Sequence, residues 1–229
     1  MAADKQKIVT IDGPSGGGKS TVSRALAAKL RFTYLDTGAM YRAVAFQCRE
    51  QGVDPADDRR LGAVLADLRI ELLPPALDGD DVRVLVDDRE VGSQLRTPEM
   101  GMLASKVSAL PQVRHTLTRL QQAMGAGGRI VAEGRDTGTV VFPAAAWKFF
   151  LDANPEVRAR RRAAQLRSKG EQVDEQQLLA QIIQRDKDDR ERSIAPLKAA
   201  LDALTIDSTS LSAEEVVRRM YDHILTTSC

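Results

Sequence analysis

The sequence predicts an α/β protein whose core is a doubly wound parallel sheet. Short β-branched runs alternate along the chain with segments in which apolar residues recur at a helical period. A glycine-rich turn joins the first such run to the first helical segment, as at the start of many parallel sheets. The length of 229 residues suits one core that carries smaller inserted domains.

The predicted elements follow one another in a regular order. Residues 8–11 form a β-branched strand, and the helix that begins at Lys19 places Val22, Leu26 and Leu30 on one stripe. Further strands are expected at residues 32–35, 129–132, 147–151 and 204–206. Further helices are expected at about residues 38–51, 112–124, 155–168, 174–191 and 212–225. Strands separated by helices indicate parallel pairing.

The segment from about 54 to 110 departs from this alternation. Its central part predicts three short strands at residues 69–73, 82–86 and 89–91. The turn sequences Pro74-Pro75 and Asp78-Gly79-Asp80 punctuate it. We interpret the segment as a subdomain inserted into the core.

Composition and charge exclude several classes of protein. With 43% hydrophobic and 28% charged residues the chain can bury a core, which excludes wholesale disorder. It contains no stretch near the roughly 20 apolar residues of a membrane span, and its first seven residues are too polar for a signal peptide. Cys48 and Cys229 form no metal or disulfide framework, which is typical of a reducing cytoplasm. The net charge of +1 argues against binding to nucleic acid in general.

The strongest motif lies between the first strand and the first helix. Residues 13–20 match the pattern G-x-x-x-x-G-K-[ST] at every fixed position. Glycines allow backbone N–H groups to turn toward phosphate oxygens, and the helix that follows directs its positive end at the same charge. Lys19 is expected to reach the β- and γ-phosphates, and the Ser20 hydroxyl to ligate Mg²⁺. The motif therefore predicts a nucleoside triphosphate site.

Two groups of polar residues follow other predicted strands, where α/β sheets bind ligands. Thr37 and Arg42 come after the second strand; alternatively, Thr37 simply caps the next helix and Arg42 is a solvated charge. The run Glu133-Gly-Arg-Asp-Thr-Gly138 suggests a bend that presents Arg135 and Asp136 beside the first strand. The alternative is an exposed turn whose ion pair contributes little.

Charged residues also share two helix faces. Arg158, Arg161 and Arg162 lie at i, i+3 and i+4, and such a basic face suggests an arginine lid over a triphosphate. Arg185, Asp189 and Arg192 share a second face, which suits a ligand with both phosphate and hydrogen-bonding edges. For both faces the alternative is an ordinary solvated helix surface.

Taken together, these motifs resemble the bacterial cytidylate kinase family. The resemblance runs from Thr10-Ile-Asp-Gly-Pro-Ser-Gly to Asp207-Ser-Thr and includes Asp36-Thr-Gly-Ala-Met-Tyr-Arg42. It continues through Arg96-Thr97, residues 133–143 and residues 185–192. This ordered set is far more specific than the glycine-rich motif alone. The sequence departs from the family pattern at two positions: Thr37 stands where the family often has Ser, and Glu133 stands where Asp is frequent. Because of the second departure, Glu133 is linked only loosely to Mg²⁺ or a bound water.

The resemblance implies a P-loop NTPase-like core, a nucleoside-monophosphate-binding region and a short helical lid. It assigns residues 1–36, 111–157 and 172–229 to the core, residues 37–110 to the monophosphate-binding region with its small-sheet insert, and residues 158–171 to the lid. It implies transfer of the ATP γ-phosphoryl group to CMP or dCMP with Mg²⁺. We expect no nucleic-acid or membrane partner, and a monomer in the cytoplasm.

The resemblance also implies roles for individual residues. The expected ATP-binding residues are Gly13, Pro14, Ser15, Gly16, Gly17, Gly18, Lys19, Ser20, Thr21, Arg158, Arg161 and Arg162. The residues expected to bind the CMP phosphate are Thr37, Arg42 and Arg135. Those expected at the base are Ser105, Arg114 and Asp136, with support from Arg192. Those expected at the sugar are Arg185 and Asp189. The expected catalytic residues are Lys19, Arg135, Asp136, Arg158 and Arg161.

Two rival functions remain open from the sequence. One is another small-molecule kinase that acts on UMP, AMP or a metabolite such as shikimate. The other is a nucleotide-binding module that regulates a partner or acts on nucleic acid. An acceptor panel separates the first from cytidylate kinase, and partner-stimulated ATPase activity would identify the second. The near-neutral charge and the lack of aromatic-rich basic patches disfavour the second.

Overall fold

The computed structural model describes residues 7–75, 81–168 and 170–227, and the chain divides into two units. The first unit comprises Met1–Tyr34 and Gly125–Cys229, and the second comprises Leu35–Met124. The strands are β1 (Ile8–Asp12), β2 (Thr33–Asp36), β3 (Ile70–Leu73), β4 (Arg83–Val86), β5 (Arg89–Glu90), β6 (Ile130–Gly134), β7 (Trp147–Asp152) and β8 (Leu204–Asp207). The helices are α1 (Lys19–Leu30), α2 (Thr37–Glu50), α3 (Asp58–Asp67), α4 (Pro98–Val107), α5 (Pro111–Met124), α6 (Pro155–Arg167), α7 (Glu175–Glu191) and α8 (Ala213–Thr227).

A five-stranded sheet in the order β2-β6-β1-β7-β8 forms the first unit's centre. β1 pairs in parallel with β6 and β7, and β7 pairs in parallel with β8, so the predicted parallel sheet is confirmed. The register sets Asp12, the last residue of β1, opposite Gly134 of β6. The carboxyl ends of β1 and β6 therefore meet at the same edge, where ligands bind in such folds.

The first unit's core explains why its strands are continuously apolar. Val9 and Ile11 of β1 are fully buried, as are Val131 of β6 and Leu151 of β7. Both faces of a parallel sheet are covered, so its central strands carry apolar residues on both sides. The stripe predicted on α1 buries Leu26 completely, and α1 packs against α8.

The second unit contains a three-stranded antiparallel sheet in the order β3-β4-β5. The strands expected in the insert are thus confirmed, while the turn expected at residues 78–80 lies outside the described residues. The sequence predicted no helix between residues 54 and 110, whereas in the structure α3 precedes the small sheet along the chain and α4 follows it. Asp57 caps α3 by accepting from Arg60 N, and Thr97 caps α4 by accepting from Met100 N.

One boundary between the two units follows α5, so the helix Pro111–Met124 belongs to the second unit. The sequence-based assignment of residues 111–157 to the core stays a prediction. The other boundary falls within β2, after Tyr34. The roles given to these regions as monophosphate-binding region and lid stay predictions. Within the described ranges, none of the helices has the length and apolar character needed to cross a membrane.

Candidate active site

The glycine-rich motif forms the loop between β1 and α1, in the first unit. Gly13 passes so close to β7 that a Cβ atom there would lie 2.0 Å from the Leu151 carbonyl oxygen. Gly16 has a φ of 77° and Gly18 a φ of 84°, which side chains other than glycine rarely adopt. Gly18 immediately precedes α1 and, as a glycine, places no side chain over the helix N-terminus. The loop is therefore shaped for an anion to approach the backbone N–H groups.

Lys19, the first residue of α1, turns its side chain toward this loop and is only 7% exposed. Its Nζ donates to the Pro14 carbonyl oxygen at 2.6 Å. Burial, reinforced by the positive charge of Arg135, lowers the pKa of Lys19 to about 7, although Glu133 acts in the opposite direction. A bound phosphate would favour the ammonium form of Lys19 again, so the site suits a polyanion.

Glu133 joins the loop to β2 through a shared hydrogen-bond acceptor. Its Oε1 accepts from the Ser20 hydroxyl at 2.7 Å and from the Tyr34 hydroxyl at 2.7 Å. The three residues belong to the first unit, and Glu133 is 5% exposed. From the sequence, Glu133 was linked only loosely to Mg²⁺, and no role was predicted for Tyr34. Nothing in the local sequence around Tyr34 indicates this contact, because it depends on β6 lying beside β2.

Asp12, a residue that the sequence analysis did not assign to the site, fixes the turn after β6. Its Oδ1 accepts from Thr137 N at 2.8 Å and from the Thr137 hydroxyl at 2.7 Å, and its Oδ2 accepts from Gly138 N at 2.7 Å. Burial raises the pKa of Asp12, although these hydrogen bonds oppose the shift. An acidic residue at the end of the first strand, directly before the glycine-rich motif, was the available signal.

Asp12→Asn is expected to lower the free energy of unfolding by about 1–3 kcal/mol. Either orientation of the new amide sets its NH₂ group against a backbone N–H of Thr137 or Gly138, which leaves buried donors unpaired. Urea denaturation would measure the change, with Asp222→Asn as the control because Asp222 is an exposed residue of the same unit. Equal stabilities of Asp12→Asn and the wild type would contradict this role.

A network of arginines and aspartates links the turn after β6 to α7. Arg135 Nε donates to Asp189 Oδ2 at 2.9 Å, and Arg192 lies 3.5 Å from Asp136 and 3.7 Å from Asp189. Burial alone would raise the pKa of Asp189, but the charges of Arg135, Arg185 and Arg192 together lower it. The five residues predicted here from two separate motifs are thus brought together.

This network also decides between the alternatives left open by the sequence. The side chains of Asp136, Asp189 and Arg192 are 6–8% exposed, so neither an exposed turn nor a solvated helix face describes them. Charges buried to this extent cost free energy unless they are paired. Arg192 Nε also donates to the Ala195 carbonyl oxygen at 2.6 Å, which holds the guanidinium at the end of α7.

The basic face of α6 has a different environment from the one that the sequence suggests. Arg158 is 1% exposed; its Nε donates to the Ala153 carbonyl oxygen and its Nη1 to that of Ser15, in the glycine-rich loop. Its Nη2 lies 2.5 Å from Asp186 of α7, and this pair is buried. The alternative of a solvated surface is therefore wrong for Arg158, and the anion it meets belongs to the protein. Its role as a lid residue stays a prediction.

The other two lid candidates differ from Arg158. Arg161 Nη2 donates to the carbonyl oxygens of Ser208 at 2.7 Å and Leu211 at 3.3 Å, which attaches α6 to the segment after β8. Arg162 contacts only Gln165 of its own helix among the hydrogen bonds found in the described chain, at 3.4 Å. Arg162 therefore makes the weakest protein contacts of the three.

The second unit holds the remaining predicted site residues. Asp36 accepts from Ala39 N at 2.9 Å and pairs with Arg42 at 3.0 Å. The alternative in which Thr37 caps α2 is therefore wrong, because Asp36 is the cap and Thr37 is the first helical residue. An aspartate one residue before the helix was a recognisable cap signal.

Arg114 and Ser105 lie on α5 and α4, both of which belong to this second unit. Arg114 is 4% exposed; its Nη1 donates to the Ser108 carbonyl oxygen at 2.9 Å, and its guanidinium lies 5.5 Å from the centre of the Tyr41 ring. Ser105 is half-buried. Since α2 packs against α4 and α5, these side chains share a unit with Thr37 and Arg42.

Comparison with known proteins decides the family. Residues 9–226 match the family model described as cytidylate kinase. A cytidylate kinase from Vibrio cholerae is 48% identical over 217 residues, which cover 95% of each chain. The chain belongs to the cytidylate kinase family. A cytidylate kinase from a Geobacter species is 47% identical over 213 residues, which cover 93% of this chain and 90% of that protein.

The resemblance inferred from the sequence is thus confirmed at the level of the cytidylate kinase family. Among solved structures, that of an uncharacterized protein from Eubacterium ventriosum matches with a TM-score of 0.51 at 12% identity. The match covers 96% of this chain and 99% of that one. At this identity the likeness shows the fold alone. Kinases of this family transfer a phosphoryl group from ATP, which generally requires a divalent metal ion.

Proposed function

We propose that the protein transfers the γ-phosphoryl group of ATP to CMP or dCMP and releases CDP or dCDP. The proposal rests on two features that are combined in one unit of this member of the cytidylate kinase family. One is the glycine-rich loop with the buried Lys19, and the other is the buried network of Arg135, Asp136, Asp189 and Arg192. The first suits a triphosphate, and the second offers cations together with hydrogen-bond acceptors.

The donor, ATP, is assigned to residues 13–21, which comprise the glycine-rich loop and the start of α1. Backbone N–H groups of this loop and of the first turn of α1 would bind the phosphates, and Lys19 would place its charge at the γ-phosphate. The lid arginines Arg158, Arg161 and Arg162 remain assigned to the triphosphate. Arg158 already uses its guanidinium for Ser15, Ala153 and Asp186, so a triphosphate would have to share or replace one of these contacts.

The magnesium ion that accompanies ATP fits the oxygen groups beside Lys19. The Ser20 hydroxyl donates its hydrogen to Glu133, so its lone pairs remain for a cation, and Glu133 adds a negative charge. Mg²⁺ prefers oxygen ligands, and it commonly takes one or two from the protein and the others from phosphates and water. When bound, it would neutralise charge on the transferring phosphate.

The acceptor is assigned to the residues that the resemblance to cytidylate kinases implies. We propose that Thr37, Arg42 and Arg135 bind the 5′-phosphate, that Ser105, Arg114 and Asp136 bind the cytosine with support from Arg192, and that Arg185 and Asp189 bind the sugar. Cytosine presents an amino donor beside ring acceptors, which a carboxylate together with a hydroxyl or a guanidinium can match. A site that satisfies these polar atoms rejects a base that leaves them unpaired.

Catalysis in this proposal is positioning and charge neutralisation. The nucleophile, an oxygen of the CMP phosphate, is already anionic, so the protein need not remove a proton. Lys19, Arg158 and Arg161 would stabilise the donor, while Arg135 and Asp136 would hold the acceptor in line. Closing the lid would exclude water, which otherwise accepts the phosphoryl group.

We further propose that the protein acts as a monomer in the cytoplasm. Light scattering would test the oligomeric state, and a localisation experiment would test the compartment.

Arg192→Ala and Asp136→Ala are each expected to lower kcat/KM for CMP by about 10²-fold or more while ATP affinity changes little. The pair lies in the acceptor network, and removing either partner leaves the other charge buried. Steady-state kinetics with CMP and an ATP-binding titration would measure the two effects. Arg190→Ala, which removes an exposed arginine at the end of α7, two residues before Arg192, is the matched control. Wild-type kcat/KM for CMP in both variants would show the assignment to be wrong.

A further inference from the structure

We infer that Tyr34 is a positioning residue for the metal site: its hydroxyl holds Glu133 so that the Ser20 hydroxyl presents its lone pairs to the magnesium ion. This inference rests on the proposal that Ser20 ligates Mg²⁺. Tyr34 would not contact the nucleotide or the metal ion, and its effect would pass entirely through Glu133.

The geometry places Glu133 between the two hydroxyl groups. Glu133 is the last residue but one of β6, which lies between β1 and β2 in the sheet. One carboxylate oxygen, Oε1, accepts from both Tyr34 and Ser20, each at 2.7 Å. This is the distance expected for a strong hydrogen bond from a hydroxyl group to a charged oxygen. The carboxylate is therefore fixed from the β2 side as well as from the loop side.

The Tyr34 ring keeps its own hydroxyl in place. It packs against the apolar core of the first unit, which includes Val9, Val131 and Met220. Glutamate has several rotatable side-chain bonds, and ordering such a side chain costs conformational entropy. A hydroxyl held by a packed ring keeps the Glu133 carboxylate ordered before any metal arrives.

The chemical consequence falls on Ser20. A serine hydroxyl has one hydrogen and two lone pairs, and here the hydrogen is given to Glu133. A hydroxyl that donates to a carboxylate is a better ligand, because its orientation is fixed and its oxygen is more electron-rich. Without the Tyr34 hydroxyl, the Glu133 carboxylate would gain rotational freedom, and Ser20 would lose a fixed partner for its hydrogen.

The test is a titration of the ADP-saturated protein with Mn²⁺, monitored by electron paramagnetic resonance. No phosphoryl transfer occurs in this mixture. Tyr34→Phe, which keeps the ring, is expected to raise the Kd for Mn²⁺ by about tenfold. ADP affinity measured in EDTA should not change. Tyr221→Phe is the matched control, because that ring also packs against the first unit's core.

Three further variants complete the test: Glu133→Gln, its double variant with Tyr34→Phe, and Ser20→Ala. In a Glu133→Gln background, Tyr34→Phe should cause no further loss, since Tyr34 acts through Glu133. Unchanged Mn²⁺ affinity in Tyr34→Phe would overturn the inference. An equal loss of Mn²⁺ affinity from Tyr34→Phe in the wild-type and the Glu133→Gln backgrounds would also overturn it. Ser20→Ala separates this failure from that of the proposed metal site: if Ser20→Ala leaves Mn²⁺ affinity unchanged, the metal proposal itself is wrong. None of these measurements depends on CMP as the acceptor.

Discussion

Lys19→Met is expected to lower kcat for CMP phosphorylation by at least about 10²–10³-fold, the range found when a preorganised charge-stabilising group is removed. Lys19 is the charged group that the glycine-rich loop encloses, and it would meet the γ-phosphate on which charge is rearranged during transfer. Methionine fills a similar volume without charge. A coupled assay of ADP release at saturating ATP and CMP would measure the loss.

The same substitution is expected to make the unliganded protein more stable. Burial lowers the pKa of Lys19 to about 7, from 10.5, so the folded protein binds this proton less tightly than the unfolded chain does. The cost to folding is present in full below pH 7 and disappears as the pH rises toward 10.5. The stability gained in Lys19→Met should therefore shrink over this interval in urea denaturation.

Lys29→Met, on the exposed part of the same helix, is the matched control for both measurements. It should keep wild-type kcat and show no comparable stability gain below pH 7. A Lys19→Met variant that retained kcat within about threefold of the wild type would contradict the assignment of Lys19 to the transferred phosphate.

Arg158→Met is expected to lower the free energy of unfolding by about 3–5 kcal/mol. The substitution would leave Asp186, which is 3% exposed, as an uncompensated buried charge. It would also leave the carbonyl oxygens of Ser15 and Ala153 without the donors that Arg158 supplies. Urea denaturation of the unliganded protein would measure the effect.

The controls separate a structural role from a role limited to the lid. Arg160→Met removes an exposed charge from the same helix and should change stability by less than about 0.5 kcal/mol. The double variant Arg158→Met, Asp186→Leu removes both charges and should recover part of the loss. If Arg158→Met had wild-type stability but weaker ATP binding, Arg158 would serve only the triphosphate.

The contrast between Arg158 and Lys19 shows what the sequence could predict. The strand, turn and helix around Lys19 are contiguous, so the motif alone specified the loop and the direction of the helix. Arg158 was recognised as part of a basic face, but its partner Asp186 lies 28 residues away on α7. Only the packing of α6 against α7 reveals that this charge is neutralised by the protein.

The same limit applies to Glu133 and Asp12. Glu133 meets Ser20 and Tyr34, which are 113 and 99 residues away in the chain, because the sheet order puts β6 between β1 and β2. Asp12 holds a turn 125 residues away for the same reason. Alternation of strands and helices predicted a parallel sheet, but it did not give the order of the strands. The run of residues 133–138 was expected beside the first strand, but the side chains that meet there, Asp12 and Glu133 among them, were not predicted.

The helices α3 and α4 were missed for a different reason. Each has only ten residues, and the turn-forming residues on either side of each helix favoured an interpretation of the segment as strands joined by turns. Their caps, Asp57 and Thr97, were the local signals available. Within the site, the resemblance to cytidylate kinases named Arg135, Asp136, Asp189 and Arg192, and the structure brings these four into one network.

The most direct test of the proposed activity is a panel of acceptors, each assayed with ATP and Mg²⁺ by following ADP release. The panel contains CMP, dCMP, UMP, AMP and shikimate. We expect CMP or dCMP to have the highest kcat/KM, with AMP and shikimate lower by at least about 10²-fold, because their polar groups would leave those of the site unpaired. A higher kcat/KM for AMP or shikimate than for both cytidine nucleotides would contradict the proposed function.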